Sequence, residues 1–167
     1  PFKVGDLIES QGHLGSVKEI HIIVTILLTP ENKTVILPNA AVSSNDIVNY
    51  TTEGLIRVDM TFGISYNSNI KDAKDVLMKI LESHPKVLKD PAPFVGVSEL
   101  ADSSVNLAVR PYSKPGDYWD VYFKVYEDGK VALADPTDTS YNIVSKFNVP
   151  YGEDQHWAFP VIYDKKL

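Results

Sequence analysis

Apolar and polar residues alternate from Ile56 to Ile64, with Val58, Met60 and Phe62 set between Arg57, Asp59 and Thr61. A period of two puts one row of side chains on one face and predicts a half-buried strand. The period then changes. Ile70, Ala73, Leu77, Ile80 and Leu81 recur at helical spacing, with lysines and acids between them. Ser68 or Asn69 can cap that helix, and Pro85 lies just beyond its end. Residues 94–100 read as a strand. After the turn Asp102-Ser103-Ser104, the residues Val105, Leu107, Val109 and Pro111 define one face of another. Pro115-Gly116-Asp117 opens a second helix through Trp119, Val121, Tyr122 and Val125. The order β-α-β-β-α is the greater part of a ferredoxin-like α+β sandwich, expected over residues 53–127.

Residues 1–52 have a different texture. Val4-Gly5-Asp6 reads as a turn, and Gly12 and Gly15 are expected to bracket another, since Gly tolerates positive φ. Residues 16–29 are rich in Val, Ile and Thr, which favour strands. The run is too long for one ordinary strand, so a bend or bulge is expected near Ile22 to Thr25. Pro30-Glu31-Asn32-Lys33 forms a hairpin turn, Thr34 to Leu37 returns, Pro38-Asn39 stops the strand, and residues 46–50 close the set. Five short strands with glycine-marked turns predict a small five-stranded β-barrel. The fold class is therefore mainly β followed by α+β.

From Asp128 onward the pattern weakens. Asp128-Gly129 and Asp135-Pro136 read as turns, residues 141–149 and 158–163 as strands, and residues 150–156 as a loop. Residues 128–167 form a divergent, partly β C-terminal segment.

Composition narrows the chemistry. The 167 residues carry a net charge of −6, which argues against sequence-independent binding to nucleic acid phosphates. There is no cysteine, so disulfides, thiolate catalysis and thiolate-ligated zinc are excluded. His13, His21, His84 and His156 are scattered rather than paired at zinc spacings, and no metal site is expected. The Gly12 to Gly15 turn precedes β-formers, not a helix N-terminus that could cradle phosphate. No Gly-x-Ser-x-Gly elbow is present, and Glu99 and Asp102 read as turn acids rather than an acid–base pair. No catalytic residue and no cofactor are expected. Arg57 and Asp59 share a strand face and can pair at the surface. No stretch reaches the roughly 20 apolar residues that span a bilayer. An opening without Met reads as a fragment.

Particular residues carry a resemblance. They are Pro1-Phe2-Lys3-Val4-Gly5-Asp6, Gly15-Ser16-Val17 with Ile20, Thr25, Val35-Ile36-Leu37-Pro38-Asn39 and Ile47-Val48-Asn49-Tyr50. Phe62-Gly63-Ile64-Ser65-Tyr66 with Ile70, Leu88-Lys89-Asp90 with Pro93, Ser103 to Leu107, Arg110 and Tyr118-Trp119-Asp120-Val121-Tyr122 continue it. In this order and spacing, residues 1 to about 127 resemble the MscS-type mechanosensitive channel family. The resemblance implies that the barrel is Sm-like. It implies the cytoplasmic vestibule of such a channel, on the inner side of a bacterial inner membrane. It implies a homoheptameric ring, pore helices preceding Pro1 that meet the membrane, and ions and small solutes passing through. Nucleic acid is not an implied partner.

Within that resemblance Gly5, Gly15, Pro38, Asn39, Asn49 and Trp119 are the structural and interface candidates. Pro38-Asn39 reads locally as a strand terminator whose amide bonds nearby backbone. Trp119, beside Tyr118 and Tyr122 at helical spacing, suits core or subunit packing better than base stacking. A stand-alone Sm-like module binding nucleic acid or a small ligand is the alternative. It requires a basic, aromatic face, and Lys3, Lys18 and Lys33 are sparse.

Overall fold

A computed structural model describes residues 1–133, which form two compact units dividing between Ile56 and Arg57. The first is built on a five-stranded antiparallel sheet of order β4-β3-β2-β1-β5. Its strands are β1 (Leu7–Ser10), β2 (His13–Ile20), β3 (Val24–Leu28), β4 (Thr34–Pro38) and β5 (Ile47–Asn49), with a short helix α1 (Asn39–Ser44) after β4. Ile8, Val17, Leu27, Leu37 and Val42 make its core. Alternation along β3 explains the face it buries, since Thr25 and Leu27 point inward while Val24, Ile26 and Leu28 stay partly covered.

Three local expectations are corrected. Residues 16–29 are not one bent strand: β2 and β3 form a hairpin whose tip is His21 to Ile23. The bulge lies at Lys18, where the register shifts between Val17 and Glu19. Gly15 is not a turn residue. The β1–β2 turn uses Gln11 and Gly12, both at positive φ, while Gly15 sits inside β2, paired with Ile8 of β1 and flanked on its other side by the end of β3. There a Cβ would lie 2.9 Å from the Leu28 carbonyl oxygen, so close strand approach demands glycine. Finally, Pro38 does end a strand, but its φ of −61° also makes it the entry to α1.

The second unit places helices against a three-stranded antiparallel sheet of order β7-β9-β8. After β6 (Ile56–Arg57) come β7 (Met60–Ile64), α2 (Ile70–Ser83), β8 (Phe94–Leu100), β9 (Val105–Arg110) and β10 (Tyr112–Ser113). A 3-10 turn, Pro115–Asp117, leads into α3 (Tyr118–Leu133). The β-α-β-β-α order and the order of the sheet are those of the expected ferredoxin-like sandwich. Asn69, not Ser68, caps α2: its side chain accepts from the N–H groups of Lys71 and Asp72. Ala73, Leu77 and Leu81 bury one stripe of α2, and Val121, Val125 and Leu133 one stripe of α3, against Phe62, Leu107 and Val109. Burying each such large side chain contributes about 1.5–3 kcal/mol.

Two further corrections belong here. The strand expected from Ile56 to Ile64 is broken at Val58 and Asp59. Asp128-Gly129 is no turn but part of α3, which runs on to Leu133. Gly129 is tolerated mid-helix because a Cβ there would stand 2.4 Å from Cε1 of Phe62. The fully buried Phe62 ring takes the space that a side chain would need. The strands and loop expected after residue 133, with His156 and Asp135-Pro136, lie outside the described residues.

Candidate functional site

Asn39 gathers the β2–β3 hairpin. Its Nδ2 donates to the carbonyls of His21 at 2.8 Å and Ile22 at 3.1 Å, and its backbone N–H donates to Ile23 at 2.9 Å. Its Oδ1 accepts the hydroxyl of buried Thr25 at 2.7 Å. One residue thus satisfies all three carbonyls of a hairpin tip that has no glycine or proline of its own. The tip in turn displays Ile22, 97% exposed, and Ile23, 75% exposed. The two exposed isoleucines thus stand on backbone that Asn39 holds in place.

Asn49 and Gly5 meet around Asp6. Gly5, at φ +96°, donates its N–H to the Val17 carbonyl at 2.9 Å, and Val17 donates back to Asp6 at 2.8 Å. Asn49 Nδ2 donates to the Asp6 carboxylate at 2.9 Å, while its Oδ1 accepts from the backbone N–H and hydroxyl of Thr51, each at 2.9 Å. Burial opposes the charged form of Asp6. The Asn49 amide, the Lys3 N–H, the Thr51 hydroxyl and the Lys3 charge outweigh it, and the carboxyl is held below its ordinary 3.8. The chain's entry into β1 and its exit from β5 are fastened to each other by this cluster.

Trp119 sits on α3 in the other unit. Its ring stacks on Phe123 at 5.3 Å and 22°, and meets Tyr118 and Tyr122 edge-on. The six sequence candidates therefore fall into separate clusters: Pro38 with Asn39, Gly5 with Asn49, Gly15 under Leu28, and Trp119 among the rings of α3. Composition hid the contributions of Asp6 and Thr25. A buried polar residue beside an Asn or Gly of the same motif is the signal that could have marked them. Arg57 pairs with Asp59 as expected, with its Nε and Nη2 at 2.7 and 3.0 Å from the two carboxylate oxygens. Among the described residues no group of His, Asp and Glu side chains is placed to hold a metal ion, and no helix is long and apolar enough to cross a membrane.

These clusters sit in a recognisable frame. Residues 1–52 match the family model described as "Mechanosensitive ion channel, beta-domain", and residues 58–135 match "Mechanosensitive ion channel MscS, C-terminal". The chain belongs to the MscS mechanosensitive ion channel family. Within it, a small-conductance mechanosensitive channel of Edwardsiella ictaluri is 33% identical over 133 residues, covering 80% of this chain and 46% of that protein. An uncharacterised MscS family protein of Archaeoglobus fulgidus is 35% identical over 121 residues, covering 72% of this chain and 43% of its own length. The crystal structure of Helicobacter pylori MscS in its closed state superposes with a TM-score of 0.74 at 28% identity, over 80% of this chain and 53% of that one. The chain thus spans about half the length of the relatives it matches. Its two units are the β-domain and the C-terminal α/β domain of the family. The matched family models and the Edwardsiella relative are both described as mechanosensitive channels.

Proposed function

We propose that this chain is the extramembrane vestibule of a tension-gated channel, a homoheptameric ring on the cytoplasmic side of a bacterial inner membrane through which ions and small solutes pass. The observation that carries it is the ordered match of two family models, β-domain then C-terminal domain, across residues 1–52 and 58–135. The physical work of such a part is assembly. Gly5, Gly15, Pro38, Asn39 and Asn49 hold the β-domain in the shape its neighbours meet, and Trp119 offers an aromatic face on the α/β domain. Membrane attachment comes through pore helices supplied by the full-length channel. The alternative of a stand-alone nucleic-acid or small-ligand module is not favoured. Relatives named as channels support the other reading, and a charge of −6 opposes phosphate binding.

A chimaera tests this. Residues 1–133 replace the matching stretch of the Edwardsiella relative, and the purified assembly is weighed by native mass spectrometry. The expected species is a heptamer. A well-folded monomer or dimer, from a parent channel that itself forms the ring, would overturn the proposal.

A further inference from the structure

Along the C-terminal end of α2 and the outer side of α3 runs an open groove of about 610 Å³, a volume typical of small-molecule sites. Ile80 and His84 form one wall, and Trp119 and Phe123 the other. The two rings stack, yet Phe123 is 62% exposed, so aromatic surface faces solvent. The charges around the groove are unequal. Lys86 is already engaged by Asp117, at 2.9 Å, and by Asp120, and Lys124 is engaged by Asp128 at 2.8 Å. Glu127 adds a further carboxylate to the same lining. The C-terminus of α2 also lies here with no basic residue in its last turn, so its partial negative charge is not offset from within the helix. His84 adds no positive charge while its Nδ1 accepts the Lys86 N–H at 3.1 Å.

The exposed Phe123 ring, stacked on the partly buried Trp119 beside surplus carboxylates and a helix C-terminus, repels anions and attracts cations. The described residues hold no cluster of ligands for a metal ion. A cation that binds such a surface must be weakly hydrated and large enough to lie on the rings. We infer that this groove binds a small organic cation of the quaternary ammonium type, its charge over the Trp119–Phe123 faces and near Glu127. The inference rests on the α/β unit alone and stands or falls independently of ring assembly.

Choline and its neutral isostere 3,3-dimethyl-1-butanol separate charge from shape. The 167-residue chain has two tryptophans, so Trp157→Phe leaves Trp119 as the sole indole reporter. Titration at constant ionic strength, with sodium chloride as the balancing salt, is expected to give a saturable change in Trp119 fluorescence with choline. The isostere is expected to bind about tenfold more weakly, and Phe123→Leu to weaken choline several-fold, by about 0.5–2 kcal/mol of cation–π attraction. Phe123 is exposed, so circular dichroism is expected to show that variant folded; the weaker-binding Glu127→Gln variant, which leaves every ring in place, supplies a second reading. Equal binding of choline and its isostere, a response that never saturates, or affinity unchanged in both variants would overturn the inference.

Discussion

Thr61 donates its backbone N–H to the hydroxyl of Tyr126 at 3.1 Å, and that hydroxyl faces the Thr61 carbonyl at 3.4 Å. The register explains why. Val58 donates to Pro111, and Met60, Phe62 and Ile64 follow at the same parity opposite Val109, Leu107 and Val105. The backbone groups of Thr61 therefore point away from β9, toward the outer edge of β7. Among the described residues no strand pairs with that edge, and a hydroxyl from α3 meets it. Tyr126→Phe is expected to cost about 1–2 kcal/mol and to leave the edge open to self-pairing. A lower urea midpoint with concentration-dependent association checks it; an unchanged midpoint would remove the edge-capping role.

Gly129→Ala weighs two effects of opposite sign. Helix propensity favours Ala by about 1 kcal/mol. The new methyl would meet Phe62 at 2.4 Å, and overpacking a rigid core costs about 1–3 kcal/mol. A net loss of about 1 kcal/mol is expected. In a Phe62→Leu background the same change is expected to become neutral or stabilising, a coupling that thermal melts of the double-mutant cycle would reveal.

Asn39 donates two side-chain N–H bonds and accepts one. Asn39→Ala is expected to lose about 2 kcal/mol. Asn39→Asp is expected to lose more, because it turns carboxylate lone pairs toward the carbonyls of His21 and Ile22. Hydrogen exchange at Ile23 and Val24 should rise in the same order. Equal exchange in all three proteins would mean that the hairpin tip holds itself.

Stability is expected to fall on acidification in two windows. Burial is the largest effect on His84, assisted by the Lys86 and Lys124 charges and opposed by those of Asp128 and Asp120, and it holds the imidazole below its ordinary 6.5. A depressed folded value means that the unfolded chain binds the proton first, so stability is full above about pH 6.5 and declines below it. Asp6, held below 3.8, gives the second decline at lower pH. Melting temperature measured from pH 7.5 to 3 should show both steps. His84→Gln should remove the first and Asn49→Ala should shrink the second.

Much of this was legible in the sequence, for physical reasons. The α2 stripe and the cap at Asn69 are local patterns, written within a few residues of where they act. Run length marked a bend near Ile22 to Thr25 but not its depth, a full hairpin reversal, because His21-Ile22-Ile23 carries no turn residue and the residue that holds the reversal, Asn39, lies far along the chain. Asp128-Gly129 looked like a turn because the reason for glycine is a ring on another element, Phe62. Helix α1 was missed because it is six residues long, with no side-chain cap bond and no acid in its first turn. Of the candidate clusters, the residues could be named from their motifs, but their grouping around Asp6 and Thr25 required the fold.

Patch-clamp recording from membranes carrying the chimaeric channel bears most directly on whether these two domains serve a tension-gated pore. Stepwise suction is expected to open discrete, tension-dependent conductances in the chimaera, as in its parent, and Asn39→Asp is expected to reduce their number or lifetime. A chimaera that reaches the membrane in the parent's oligomeric state yet passes no current at any tension short of rupture would contradict it.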